Sequence, residues 1–212
     1  MHRSQLYNLA ACYWPVPAVA IWLVAVIFGM GIVAAYHATP GPLTSPPLLW
    51  PRDGGISRSD GDYQLLMFAH PHCPCMRASL NELAAVISRS PTNMSVRIYF
   101  MCPGNNTHWG QGNIVQQARG MTRVAVCWDR DGQIATHFGA QTAGHVLLYG
   151  KQGELLFSGG ITAARGHEGQ NAGRAAIISL VNGESAALTR TPVFGCPLLD
   201  PKTCAIVCGA NP

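Results

Sequence analysis

Cys73 and Cys75, separated only by Pro74, are the residues of this chain best equipped for chemistry. They stand in the stretch FAHPHCPCMRASL, between an apolar β-like run at 64–68 and a helix-like run at 77–83. A cysteine pair at a strand-to-helix junction meets unpaired backbone N–H groups and the positive end of a helix dipole. Such surroundings lower a thiol's pKa, and the thiolate is the nucleophile of thiol–disulfide exchange. The pattern therefore points to a redox dithiol, with a structural disulfide or two inert thiols as the plain alternative. His70, His72, Cys73, Cys75 and Met76 also form a short run of soft and borderline donors. Their spacing matches no recognised zinc motif, so the metal alternative is copper held by Cys73, Cys75 and His72.

Position suggests a division of labour within the pair. Cys73, just ahead of the helix, is predicted to be the exposed, attacking thiolate, and Cys75, in the first turn, the resolving thiol. His70 or His72 would tune the thiolate or shuttle its proton, unless they are ordinary polar neighbours.

The rest of the chain must hold this junction in place. Its 212 residues suffice for one domain plus an anchor or tail. Charged residues make up 11%, and the net charge of +4 is spread along the chain with no basic stripe, so nucleic acid is not an expected partner. Eight cysteines fit an oxidising compartment better than a reducing cytosol. No Asp, Glu, Lys or Arg lies between Arg3 and Arg52, and residues 18–36 read as a membrane-spanning helix. A cleaved signal peptide is the alternative, but its apolar core is usually shorter and no good A-x-A site follows. Arg3 favours a cytoplasmic N-terminus, which places the remainder on the extracytoplasmic, periplasmic side. The expected organisation is a short N-terminus at 1–17, an anchor at 18–36, a Pro/Gly-rich linker at 37–62, a domain at 63–185 and a cysteine-containing tail at 186–212.

Within the domain, strands are predicted at 63–69, 95–101, 122–128, 145–149 and 154–158, the third as a central strand. Helices are predicted from the cysteines to about Arg89 and at 113–119, 134–138 and 171–181, with turn chemistry at Asp129-Arg130-Asp131-Gly132. Strands alternating with helices, then a hairpin and a last helix, argue an α/β domain with a mixed sheet.

This order, with the cysteines after the first strand, resembles the thioredoxin-like superfamily. The segments HPHCPCMRASL, TAGHVLLY, LLFSGGITAARGHEGQNAGR and TPVFGCPL resemble the membrane-anchored RedB-like group within it. The resemblance covers 63–198 and implies a thioredoxin-like fold preceded by a single transmembrane helix. Two departures stand out. One residue, not two, separates the cysteines, and Gly144 occupies the place of the customary cis-proline. The implied topology brings Gly144, His145, Gly160 and the loop residues Arg165, His167 and Glu168 to the end of the sheet that carries Cys73, where they would bind a substrate or tune the thiolate. A solvated surface loop is the plain reading of 161–170. Cys127 reads as inert core. Cys196, Cys204 and Cys208 read as a tail with one disulfide, or as a relay to the dithiol.

The function expected from all this is a membrane-tethered, extracytoplasmic thiol–disulfide oxidoreductase acting on protein thiols or disulfides without a cofactor. The alternatives are a copper-binding, metallochaperone-like protein of the same fold and a redox-inactive interaction domain.

Overall fold

The computed structural model describes residues 15–53, 55–104 and 107–199. It contains two compact units, one up to Thr39 and one from Pro40 onward. The first holds α1 (Pro15–Ala38), a 24-residue helix with no acidic residue and His37 as its one basic residue. Apolar side chains project from all its sides, as on a membrane span. Among the described residues it is the one helix long and apolar enough to cross a membrane.

The second unit runs β1 (Tyr63–Ala69), α2 (Met76–Ser88), β2 (Met94–Cys102), a 3-10 turn (Thr107–Gly110), α3 (Asn113–Arg119), β3 (Val124–Arg130), α4 (Gln133–His137), β4 (His145–Tyr149), β5 (Leu155–Gly160) and α5 (Ala172–Val181). The sheet order is β3-β2-β1-β4-β5. β1, β2 and β3 are parallel; β4 is antiparallel to β1, and β5 to β4. β1 is central and buried from Gln64 to Ala69, as its near-continuous apolar run requires of a strand covered on both faces.

α2 buries Met76, Leu80, Leu83 and Ile87, an apolar stripe at helical spacing. Glu82 is buried with that stripe at 3% exposure. Its carboxylate pairs with Arg174 of α5 at 2.7 Å and accepts hydrogen bonds from the Gly169 N–H (2.6 Å) and Asn171 Nδ2 (3.2 Å). Asn171 caps α5, its side chain accepting from the Arg174 N–H at 2.8 Å. One buried carboxylate thus joins α2, α5 and the end of the preceding loop.

Three sequence expectations differ from the structure. The run at 122–128 is not a central strand; β3 lies at the sheet edge and begins at Val124, because Arg123 takes a left-handed φ of 63° that ends the preceding turn. Cys127 is accordingly half-buried rather than sealed in the core. The stretch 46–50 packs on the domain: the Leu155 N–H donates to the Leu48 carbonyl (2.8 Å), and the Trp50 ring meets Phe138 and Tyr149 edge-on at 5.2 and 5.3 Å.

After α5 the chain forms a strap, residues 189–198. The Ser158 N–H donates to the Thr189 carbonyl (3.0 Å) and the Thr191 N–H to the Ser158 carbonyl (3.2 Å), so the strap first runs beside β5. It then crosses to the residues ahead of β4. The Ala143 N–H donates to the Cys196 carbonyl (2.8 Å) and the Leu198 N–H to the Gln141 carbonyl (2.9 Å).

Glu82→Ala should cost about 3 kcal/mol, the low end for a broken buried pair, since it leaves the partly buried Arg174 guanidinium without its partner. Chemical unfolding of the full chain in detergent measures it, with Glu82→Ala/Arg174→Met expected to recover much of the loss.

Candidate dithiol site

β1 delivers the chain to the site at its buried C-terminal end. The loop then turns tightly, with the Cys73 N–H donating to the His70 carbonyl and the Met76 N–H to the Cys73 carbonyl, both at 3.1 Å. Cys75 is the N-cap of α2, already in helical conformation at φ −66° and ψ −21°. The turn points Cys73 inward, at 1% exposure, and leaves Cys75 half-buried. Exposure within the pair is therefore the reverse of the sequence expectation.

A third thiol completes the site. The strap brings Cys196 to Cys73, and the two side chains are hydrogen-bonded. That bond from Cys196 is the largest influence on Cys73 and lowers its pKa to about 6, against the upward push of burial. Backbone hydrogen bonds from Cys196, Cys75 and Met76 act in the same direction. Cys75 is pushed up by burial and by the charge and hydrogen bond of Cys73. Cys196 is pushed up by its hydrogen bond to Cys73, by burial and by the charge of the two other cysteines. Ionisation is thus easiest at Cys73 and opposed at Cys75 and Cys196. The Arg165 guanidinium favours the ionised forms of Cys75 and Cys196 and donates to the Gly195 carbonyl.

The other expected residues are distributed as follows. Gly144, at φ +89°, donates its N–H to the Phe68 carbonyl (2.7 Å), at the end of the sheet that carries Cys73. Its open side faces Ser79 of α2 and the Phe194 carbonyl of the strap, so the chain itself fills the space expected for a substrate backbone. His145 pairs with Phe68 and Gly160 in the sheet, and its Nε2 lies 2.9 Å from Ser158 Oγ. Burial lowers its pKa to about 4, which makes it a neutral core histidine. The Gly160 N–H donates to the strap at the Pro192 carbonyl (3.3 Å).

Glu168 accepts from Asn81 Nδ2 at 2.7 Å and holds the loop to α2, while His167 is exposed. His70, buried, is held neutral with a pKa of about 4 by burial and by His72. It accepts the His72 N–H at Nδ1 (3.2 Å), in the tautomer assigned from that contact. The exposed His72 ring stands edge-on to Trp109 at 4.6 Å. Among the described residues, no three His, Cys, Asp or Glu side chains form a group placed to hold a metal ion. Cys12, Cys204 and Cys208 lie outside the described residues.

Sequence reasoning offered Cys196 only together with Cys204 and Cys208, as a tail disulfide or a relay to the dithiol, and did not single it out. The available signal was TPVFGCPL, in which Gly195 permits a backbone approach so close that a Cβ would overlap the Ala143 carbonyl.

The crossover order and mixed strand directions decide the architecture. The fold is thioredoxin-like. A hypothetical protein from Sinorhizobium meliloti shares it at 17% identity and a TM-score of 0.50, over 76% of this chain and 93% of that one. An uncharacterized conserved protein from Geobacillus kaustophilus does so at 17% identity and a TM-score of 0.52, over 77% and 94%. A pneumococcal exposed lipoprotein thioredoxin from Streptococcus pneumoniae is 17% identical with a TM-score of 0.41, over 58% and 86%. No protein-family model matches the chain, and no curated protein matches it.

The shifts at Cys73 and Cys196 make reduced-state stability depend on pH. Unfolded, both thiols titrate near about 8.5. Folded, Cys73 releases its proton at about 6 while Cys196 keeps its own. The lowered Cys73 contributes stability that grows as pH rises from about 6 toward about 8.5; the raised Cys196 contributes stability that is lost above that value. The stability difference between reduced wild type and Cys196→Ala should therefore peak near pH 8.5, about the ordinary thiol value. In the variant, alkylation of Cys73 should titrate above pH 6. An unchanged midpoint would show that Cys196 does not hold the thiolate.

Proposed function

We propose that the chain is a membrane-tethered thiol–disulfide oxidoreductase working on the extracytoplasmic side, with protein thiols or disulfides as its substrates. What carries this reading is the meeting of Cys73, Cys75 and Cys196 at a strand-to-helix junction of a thioredoxin-like sheet, in surroundings that lower the Cys73 pKa. Cys73 is the nucleophile, and Cys75 is the more accessible thiol of the same Cys-Pro-Cys site. Arg165 supports negative charge on this cluster as sulfur–sulfur bonds exchange. α1 supplies the tether, and the sparse charge around it favours an extracytoplasmic domain. The RedB-like resemblance of the segments around Cys73, His145, Gly160 and Cys196 agrees with this reading. A copper-handling role has no comparable support: His72 stands against Trp109, and the ligand set it would share with Cys73 and Cys75 is not assembled.

The full chain in detergent should accelerate exchange between dithiothreitol and a disulfide-bonded peptide, and Cys73→Ser should reduce the rate to background. Wild-type protein no faster than Cys73→Ser would leave the redox-inactive interaction domain as the better reading. The chain should also stay with membranes after a salt wash, and a reporter fused after Pro212 should be active only where exported proteins are active. Recovery of the intact chain in the soluble fraction would remove the tether.

A further inference from the structure

Three thiols meet at this site, and a disulfide joins only two. We propose that Cys196, not Cys75, closes the internal disulfide with Cys73 and so resolves its mixed disulfide with a substrate. The proposal rests on the oxidoreductase reading and names the second redox residue of that site.

Geometry separates the two candidates. Cys73 and Cys75 are two residues apart in a turn that is already helical at Cys75. Cys75 also lies within hydrogen-bond reach of Cys73, but a disulfide across a single residue closes a small ring, and a disulfide that departs from its usual geometry stores strain. Joining them would distort the turn closed by the Met76 N–H on the Cys73 carbonyl at 3.1 Å, and with it the first turn of α2. Cys196 carries no such constraint, because it approaches from a different segment. The strap is fixed on both sides of it: Phe194 and Leu198 are buried, the Cys196 carbonyl accepts the Ala143 N–H at 2.8 Å, and the Leu198 N–H donates to the Gln141 carbonyl at 2.9 Å. Arg165 binds the Gly195 carbonyl next to it. The strap thereby holds Cys196 beside Cys73 without disturbing the helix.

The chemistry balances with a substrate disulfide, R–S–S–R, as oxidant. The Cys73 thiolate attacks one sulfur, forming a Cys73–S–S–R bond, breaking the S–S bond of the substrate and releasing a first R–S⁻. Cys196 gives its proton to that leaving thiolate, and its sulfur attacks Cys73. The Cys73–Cys196 bond forms and a second R–S⁻ departs, to be protonated by water. Two electrons pass from the cysteine pair to the substrate. The reverse sequence oxidises a substrate dithiol.

The test uses reduced full-length protein in detergent, exposed to glutathione disulfide, quenched with N-ethylmaleimide at intervals and mapped by mass spectrometry. Wild type should end with Cys73 joined to Cys196. A glutathione adduct on Cys73 should persist about tenfold longer or more in Cys196→Ser than in Cys75→Ser, because the first variant loses the well-placed intramolecular thiol. Cys196→Ala should behave like Cys196→Ser, and both reduced variants should give the far-ultraviolet dichroism of wild type. A Cys73–Cys75 product in wild type, a Cys196 bond to Cys204 or Cys208, or the longer-lived adduct in Cys75→Ser would overturn the assignment while leaving the oxidoreductase reading standing. Failure of Cys73 to form any adduct or reversible disulfide would overturn both.

Discussion

The site depends on backbone meeting backbone where the strap crosses the residues ahead of β4. Gly195 lies so near the Ala143 carbonyl that no side chain fits between them. That closeness lets the Cys196 carbonyl reach the Ala143 N–H and the Leu198 N–H reach the Gln141 carbonyl. Burial of Phe194 and Leu198 on either side of the crossing adds roughly 1.5–3 kcal/mol for each side chain sealed from water. A cysteine far from Cys73 in sequence becomes a fixed neighbour of it. Without that contact the junction would hold a buried thiol near an ordinary helix start, with little to ionise it.

The electrostatics follow from this packing. A partly desolvated cluster of three thiols ionises in sequence, since each charge opposes the next. The first charge settles on Cys73, which receives the Cys196 hydrogen bond and three backbone hydrogen bonds. Cys75 and Cys196 then remain protonated despite the nearby Arg165. The pair therefore differs from the one expected from position along the helix alone. The helix start contributes, but a long-range contact sets which thiol ionises most easily.

Local pattern carried much of the architecture. α3 and β4 fall where the sequence places them, at Asn113–Arg119 and His145–Tyr149, because each is bounded by strong signals, Gly112 and Gly120 for the helix and Gly144 and Gly150 for the strand. The position of β3 was not legible, since an apolar β-branched run reads the same in the middle of a sheet as at an edge partly covered by neighbours. Within the site, the Cys-Pro-Cys junction was visible because strand, cysteines and helix are contiguous. Glu82 and Cys196 were not: a glutamate in a helix reads as solvated, and only the tertiary path of α5 and the strap reveals what they face.

Burial of Cys73 has a consequence for the proposed exchange. A thiolate with 1% exposure is reactive toward an outside disulfide only in the fraction of time that its surroundings open. The covering elements are unequal in this respect. The Glu82 network and the Asn81–Glu168 bond tie α2 to the end of the loop at 161–170, whereas the middle of that loop carries exposed His167 and a glycine at φ +67°, Gly166, with nothing packed against it. Opening there would loosen Arg165 from the Gly195 carbonyl before it disturbs the sheet. In the proposed exchange a partner would need to reach Cys73 past these elements while the strap keeps Cys196 beside it, so access and resolution would be served by different segments of the chain.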